Sequence, residues 1–264
     1  MAQKYKHRSP FPLWTLLEGR WVFEMASFYG VRPLLKRLPK GDNHPIIVFP
    51  GFMASAGSTR PLRKFLTDLG YTVYDWGQGR NLKFNPEVEA KMLDNLEKTY
   101  QKHGQKVSLL GWSLGGVFAR EIAKTYPDYV RSVISLGSPI TGPRHAALVR
   151  PLFELLNGGG PSPKTAVRLE QLHTPPPVPT TSVYSKTDGI VHWHGSVQDD
   201  VPHAENIEVY ASHAGMGANP MIMYVLADRL AQAEGQWKRF DKSGLKRFFY
   251  KSPKYFRRDL GDFY

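Results

Sequence analysis

Apolar and polar positions follow two rhythms along this chain. Short, nearly continuous apolar runs, Ile46 to Phe49, Thr72 to Trp76, Val107 to Leu110, Val130 to Leu136, Thr181 to Ser185 and Ile207 to Tyr210, have the length and β-branched content of buried strands. Between them, apolar residues recur at spacings of three and four. Leu62, Phe65, Leu66 and Leu69 are closed by Gly70, Val88 to Tyr100 are opened by Pro86, and Val117, Phe118, Ile122 and Ala123 make a third set. A last helix is predicted from Asn219 or Pro220 through Leu230. Strands separated by helices of this length require crossovers, which imply a mainly parallel, twisted sheet with helices on both faces. The expected class is α/β, with one domain over residues 45–235.

Three stretches leave this rhythm. Residues 141–179 hold one apolar segment, Ala146 to Leu156, followed by Gly158-Gly159-Gly160-Pro161 and Pro175-Pro176-Pro177. Roughly forty residues of idle loop would be unusual in a compact domain, so this is read as a small cap inserted over the sheet. Residues 1–44 form a basic segment of helical spacing, rich in leucine, phenylalanine and tryptophan, with a break expected near Gly30 and Pro33. Such a helix either lies in a membrane interface or packs on the body or a second copy, and bulky apolar residues favour packing. Residues 236–264 are a basic tail interleaved with aromatics.

Composition narrows the chemistry. With no cysteine among 264 residues, disulfides, thiolate metal sites and cysteine nucleophiles are excluded. The net charge of +12 belongs to the two ends: residues 1–40 and residues 236–264 each carry +6. That basicity fits contact with anionic lipid or with the protein's own surface. Nucleic acid is disfavoured, because no binding module accompanies the tail. The start of the chain lacks a signal-peptide pattern, and no apolar run reaches the roughly 18 residues of a membrane span. The expectation is a cytoplasmic protein, peripheral at most at the inner face of a membrane.

The stretch Val107 to Gly116 carries a strand into the turn Gly111-Trp112-Ser113-Leu114-Gly115 and on into a helix. Gly-x-Ser-x-Gly in that context places a serine on a strained elbow at the top of a sheet, where a side chain at Gly111 or Gly115 would collide with its neighbours. A serine needs a base, and the base needs an orienting group. In a parallel sheet these come from loops after later strands. Asp188 follows one strand and His213 the next, giving the order Ser113, Asp188, His213. Asp199 and Asp200 compete with Asp188, and His192, His194 and His203 compete with His213; the histidine spacing matches no zinc pattern. The N–H groups of Leu114 and Phe52 are the expected oxyanion donors, and Trp112 and Met53 the candidate lining of an apolar pocket. No metal is expected from that spacing.

Together, Phe49-Pro50-Gly51-Phe52, Trp76 with Gly79-Arg80-Asn81, Gly111 to Gly116, Leu136-Gly137-Ser138-Pro139, Ser185 to Val191 and Ser212-His213 to Asn219-Pro220 resemble the α/β-hydrolase superfamily, in its bacterial lipase/esterase-like branch. The resemblance spans about residues 45 to 240. It implies the α/β-hydrolase fold, a triad of Ser113, His213 and Asp188, and hydrolysis of carboxylic esters without a cofactor. The expected substrates are esters with a hydrophobic acyl group, small molecules or lipids at a membrane surface; the two termini lie outside the resemblance. One departure is Pro50-Gly51, where many lipases have His-Gly. An acyltransferase with the same triad and a non-enzymatic binding protein on a hydrolase scaffold are the alternatives.

Overall fold

A computed structural model describes residues 9–82, 85–141 and 171–251. The sheet is built from β1 (Pro45–Phe49), β2 (Thr72–Asp75), β3 (Val107–Trp112), β4 (Val130–Leu136), β5 (Thr180–Tyr184) and β6 (Ala204–Glu208). Their order is β2-β1-β3-β4-β5-β6, and every pairing is parallel. The α/β-hydrolase fold expected from the sequence is present.

Helices in chain order are α1 (Pro12–Leu16), α2 (Trp21–Leu35), α3 (Arg60–Asp68), α4 (Pro86–His103), α5 (Leu114–Thr125), α6 (Pro220–Leu230) and a short α7 (Lys246–Phe249). Strand alternation divides the core between two faces. Ile46 and Val48 of β1 pack with Phe28, Leu62, Phe65 and Leu226, so α2, α3 and α6 cover one side. Ile47 and Phe49 pack with Met92, Leu96, Phe118 and Ile122, so α4 and α5 cover the other. Each fully buried side chain of this size stabilises the fold by about 1.5–3 kcal/mol. The helix starts follow from their caps: Asn85 accepts from the Val88 N–H at 2.8 Å and Asn219 from the Met221 N–H at 2.9 Å, each just before a proline at the first helical position.

The structure departs from the sequence reading in two elements. β6 begins at Ala204, ahead of the expected Ile207, because two polar residues, Glu205 and Asn206, are buried inside it. The Glu205 carboxylate is satisfied by Arg229 at 2.8 Å, the Phe240 N–H at 2.8 Å and the Thr181 hydroxyl at 3.1 Å. In the N-terminal segment, α2 runs through Gly30 and Pro33, and the break falls instead at Leu17–Arg20, a 3-10 turn. Pro33 sits in the last turn of α2, and the bond it withholds is to the carbonyl of Tyr29, an exposed residue whose carbonyl water can serve.

The described parts of both terminal segments, residues 9–44 and 236–251, lie against this body. Phe28 and Leu35 of α2 are buried in the core, and within the tail Phe240 and Tyr250 are buried beside Tyr224. Lys251 bridges Glu208 of β6. The expected cap falls largely on residues 142–170, outside the described residues. Among those that are described, no helix is long and apolar enough to cross a membrane.

Candidate active site

Ser113 stands between β3 and α5 with φ 55° and ψ −125°. A positive φ at a non-glycine residue costs about 1–3 kcal/mol and persists only where the surroundings enforce it. Here they do. A Cβ at Gly111 would lie 2.3 Å from the Gly115 carbonyl oxygen, and one at Gly115 would lie 2.3 Å from that of Phe49, so strand, elbow and helix approach as closely as backbone permits. The Ser113 N–H donates to the Leu136 carbonyl at 2.8 Å, fixing the elbow to the end of β4.

Asp188 and His213 follow β5 and β6 at the same end of the sheet. Asp188 Oδ2 lies 2.7 Å from His213 Nδ1, and Oδ1 accepts from the Ile190 and Val191 N–H groups, both at 2.8 Å. Asp188 also reaches β4, since a Cβ at Gly137 would lie 3.0 Å from its Oδ2. Ser113 and Asp188 thus both border the carboxyl end of β4. Trp112, the residue before the serine, donates from Nε1 to the His213 carbonyl at 3.1 Å. Burial alone would lower the His213 pKa, but the charge of Asp188, its hydrogen bond and the charge of Glu18 together raise it above the ordinary histidine value. An imidazole so held, bonded to a carboxylate at Nδ1, leaves Nε2 to exchange a proton with a neighbour.

The loop after β1 approaches the serine closely: a Cβ at Gly51 would be 3.2 Å from that of Ser113. Asn81, fully buried, pins this loop. Its Nδ2 donates to the Pro50 carbonyl at 2.9 Å, its carbonyl accepts from the Met53 N–H at 2.7 Å, and its own N–H donates to Ala54 at 2.8 Å. Phe52 lies in this loop, and Leu114 opens α5, where a helix has no internal acceptor for its first N–H groups. Met53, at φ 61°, is half exposed beside it, while Trp112 is partly buried against the core and His213.

The rival residues are engaged elsewhere. Asp200 pairs with Arg239 at 2.6 Å, Asp199 lies 3.9 Å from His173, and His203 meets the Pro176 carbonyl at 3.1 Å. His192 and His194 stack on one another and on Trp193.

Two groups of residues at or near the sheet ends were not foreseen. Glu18 and Glu24 of the N-terminal segment accept backbone N–H groups from the loops of Asp188 and His213. At the opposite end of β3, His44 lies 2.5 Å from Asp42 Oδ1 through Nδ1 and 2.9 Å from Ser108 Oγ through Nε2, an aspartate, histidine and serine in series. Only the Glu18-x-x-x-x-x-Glu24 pair of carboxylates amid apolar residues, and His44 beside a strand start, marked them in sequence.

The profile of the alpha/beta hydrolase family matches residues 46–252. Serine hydrolase BPHL of Mus musculus is 31% identical over 120 residues, covering 41% of this chain and 40% of that protein. Its Homo sapiens counterpart is 30% identical over 119 residues, with the same coverage of 41% and 40%. The match therefore spans less than half the length of these curated relatives. Among solved structures, Aspergillus fumigatus lipase B superposes with a TM-score of 0.59 at 18% identity, over 76% of this chain and 56% of the lipase. Bacillus licheniformis lipase BlEst2 gives 0.55 at 18% identity, over 74% of this chain and 94% of the lipase. At such identities the likeness is one of fold.

Proposed function

The chain belongs to the alpha/beta hydrolase family, and from that premise we propose that it is a serine hydrolase cleaving carboxylic esters with a hydrophobic acyl group through an acyl-enzyme. The observation that carries this reading is the 2.7 Å contact between Asp188 and His213, tied to a serine held at positive φ through Trp112, the residue before it, which donates to the His213 carbonyl. Ser113 Oγ attacks the ester carbonyl while His213 Nε2 takes its proton, and Asp188 keeps the imidazole in the tautomer that can accept it. The N–H groups of Leu114 and Phe52 receive the oxyanion, a donor pair in which each member is worth about 10²–10³ in rate. His213 then gives its proton to the departing alcohol as the C–O bond breaks. Water repeats the cycle on the acyl-enzyme and releases the acid.

The substrate we propose is an ester at an anionic lipid surface, and what supports this is an inverted distribution of charge. From Phe11 to Leu34, every exposed residue is uncharged, while Glu18, Arg20, Glu24 and Arg32 are all turned toward the body. Leu16 is 81% exposed, Phe23 75% and Leu34 61%. The exposed cations Lys36, Arg37 and Lys40 follow directly, a pairing of apolar face and basic flank that suits acyl chains below anionic headgroups.

Two measurements test the proposal. Fluorophosphonate labelling should modify wild-type protein at Ser113 and leave S113A unlabelled; labelling of S113A at wild-type rate would refute the nucleophile. L16E/F23E should lose sedimentation with phosphatidylglycerol-containing vesicles and keep hydrolysis of soluble p-nitrophenyl butyrate. Unchanged sedimentation, or a wild-type dimer that the double variant splits, would remove the lipid from the proposal. Deleting residues 236–264 is a poorer probe, because Phe240 and Tyr250 belong to the core.

A further inference from the structure

The N-terminal segment does more than present an apolar face. The Glu18 carboxylate gathers three backbone donors: Oε1 accepts from the Gly189 N–H at 2.8 Å and the His213 N–H at 2.9 Å, and Oε2 from the Ala214 N–H at 2.9 Å. Gly189 is the residue after Asp188, so one side chain joins the loop of the acid to the loop of the base. Glu24 adds the Ser212 N–H at 2.7 Å and the Asn219 amide at 2.9 Å. Arg20 reaches the residue before Asp188, donating to the Thr187 carbonyl at 2.5 Å and its hydroxyl at 3.0 Å, and the Thr15 hydroxyl donates to the Gly189 carbonyl at 2.8 Å.

The fit is close on both sides. A Cβ at Gly189 would fall 2.4 Å from the Trp14 carbonyl oxygen, and one at Gly215 would fall 2.3 Å from Glu24 Oε2. Both loops therefore rest directly on the segment, with no room for a side chain between. Backbone donors to an ionised carboxylate form the stronger, charge-assisted class of hydrogen bond. Glu18 and Glu24 are largely shielded, so loss of either would leave several N–H groups without a partner at the place where loop geometry matters most.

We propose that Glu18 is a positioning residue for the reaction, a carboxylate that fastens the Asp188 loop to the His213 loop and holds acid and base in register. This rests on the serine hydrolase reading. Charged groups face His213 from two directions: Asp188 after β5, in contact, and Glu18 from the N-terminal segment, on the backbone. Glu24 bonds the residue before His213, and Arg20 lies 3.6 Å from Glu24. Glu18 adds to the upward shift of His213, so it acts on the base electrostatically as well as through geometry.

The test compares E18Q, E18D and S113A with wild type on p-nitrophenyl butyrate across pH. E18Q keeps the shape and removes the charge. Its kcat should fall about tenfold to a hundredfold, the scale of a small misplacement, with KM little changed. The acid limb of kcat/KM should move to lower pH, because loss of a negative charge makes His213 easier to deprotonate. E18D retains the charge but not the reach, so kcat should fall while the acid limb stays near wild type. A folded E18Q with wild-type kcat and an unmoved acid limb would overturn the inference; if E18Q is not recovered folded, wild-type kcat in E18D would do so. Activity surviving in S113A would instead overturn the underlying hydrolase reading, whatever the Glu18 variants show.

Discussion

Each end of β3 has a serine and, from neighbouring loops, a bonded histidine–aspartate pair. At its amino end, Ser108 Oγ, His44 and Asp42 are bonded in a row; at its carboxyl end stand Ser113, His213 and Asp188. The residue types are identical and the surroundings are opposite. Ser108 has ordinary strand geometry, is buried, and shares its hydroxyl with Ser132 at 3.0 Å. His44 has no exposure, and Tyr71 packs edge-on at 5.0 Å between ring centres. Burial, followed by the charge of Arg131, lowers the His44 pKa although Asp42 pulls it upward. His213 is shifted the other way. Asp42 is held at about 2, its partial burial outweighed by hydrogen bonds from His44 and Arg131. A relay of three side chains is therefore a structural motif in itself. What the upper site adds is a strained elbow, a glycine loop 3.2 Å from the serine, and a helix start.

The sharpest break of the comparison is a pair of serine deletions. S113A should lower ester turnover on the order of 10⁶-fold. S108A should leave turnover within about twofold while lowering urea stability by about 1–3 kcal/mol, because His44 Nε2 loses its buried partner. Turnover abolished in a folded S108A would erase the distinction. The aspartates come next. D188N should reduce kcat by about 10⁴-fold by favouring the wrong imidazole tautomer, whereas D42N should act on the melting temperature alone.

Smaller effects sharpen the contrast. N81A should slow turnover by about tenfold to a hundredfold by loosening the Pro50–Ala54 loop, with no matching change at the lower relay. The two histidines should leave opposite marks on stability. A folded-state pKa below the unfolded value means the unfolded chain binds the proton first, so His44 makes stability fall as pH drops below about 6.5. His213, raised in the fold, contributes stability that is fully present below about 6.5 and is lost as pH rises through its folded value. Melting temperatures across this range should show H44N with a flatter acid slope and H213A with a flatter alkaline one.

Sequence carried the sheet and its strand order along the chain, and it put Ser113, Asp188 and His213 after strands whose ends lie on one side of the sheet, because elbow glycines, caps and apolar runs all leave marks in the letters. Gly111 and Gly115 stand where backbone contacts demand them. β6 was displaced because the pattern cannot say that Glu205 will meet Arg229 inside the fold. The role of Glu18 was invisible for another reason: its partners are backbone N–H groups 171 to 196 residues away, and a backbone group has no letter. Periodicity likewise gives the same signal whichever face of a helix is buried. It could not reveal that residues 11 to 34 turn their charges toward the body and expose apolar side chains.

The family match starts at residue 46, well after Glu18 and Glu24. Trimming the protein to the matched span would retain every side chain of the upper site yet discard the brace between its two loops. On the role proposed for Glu18, such a fragment should turn over ester poorly. During synthesis Glu18 is made 195 residues before His213, so the proposed brace forms only after the loop it fastens has emerged.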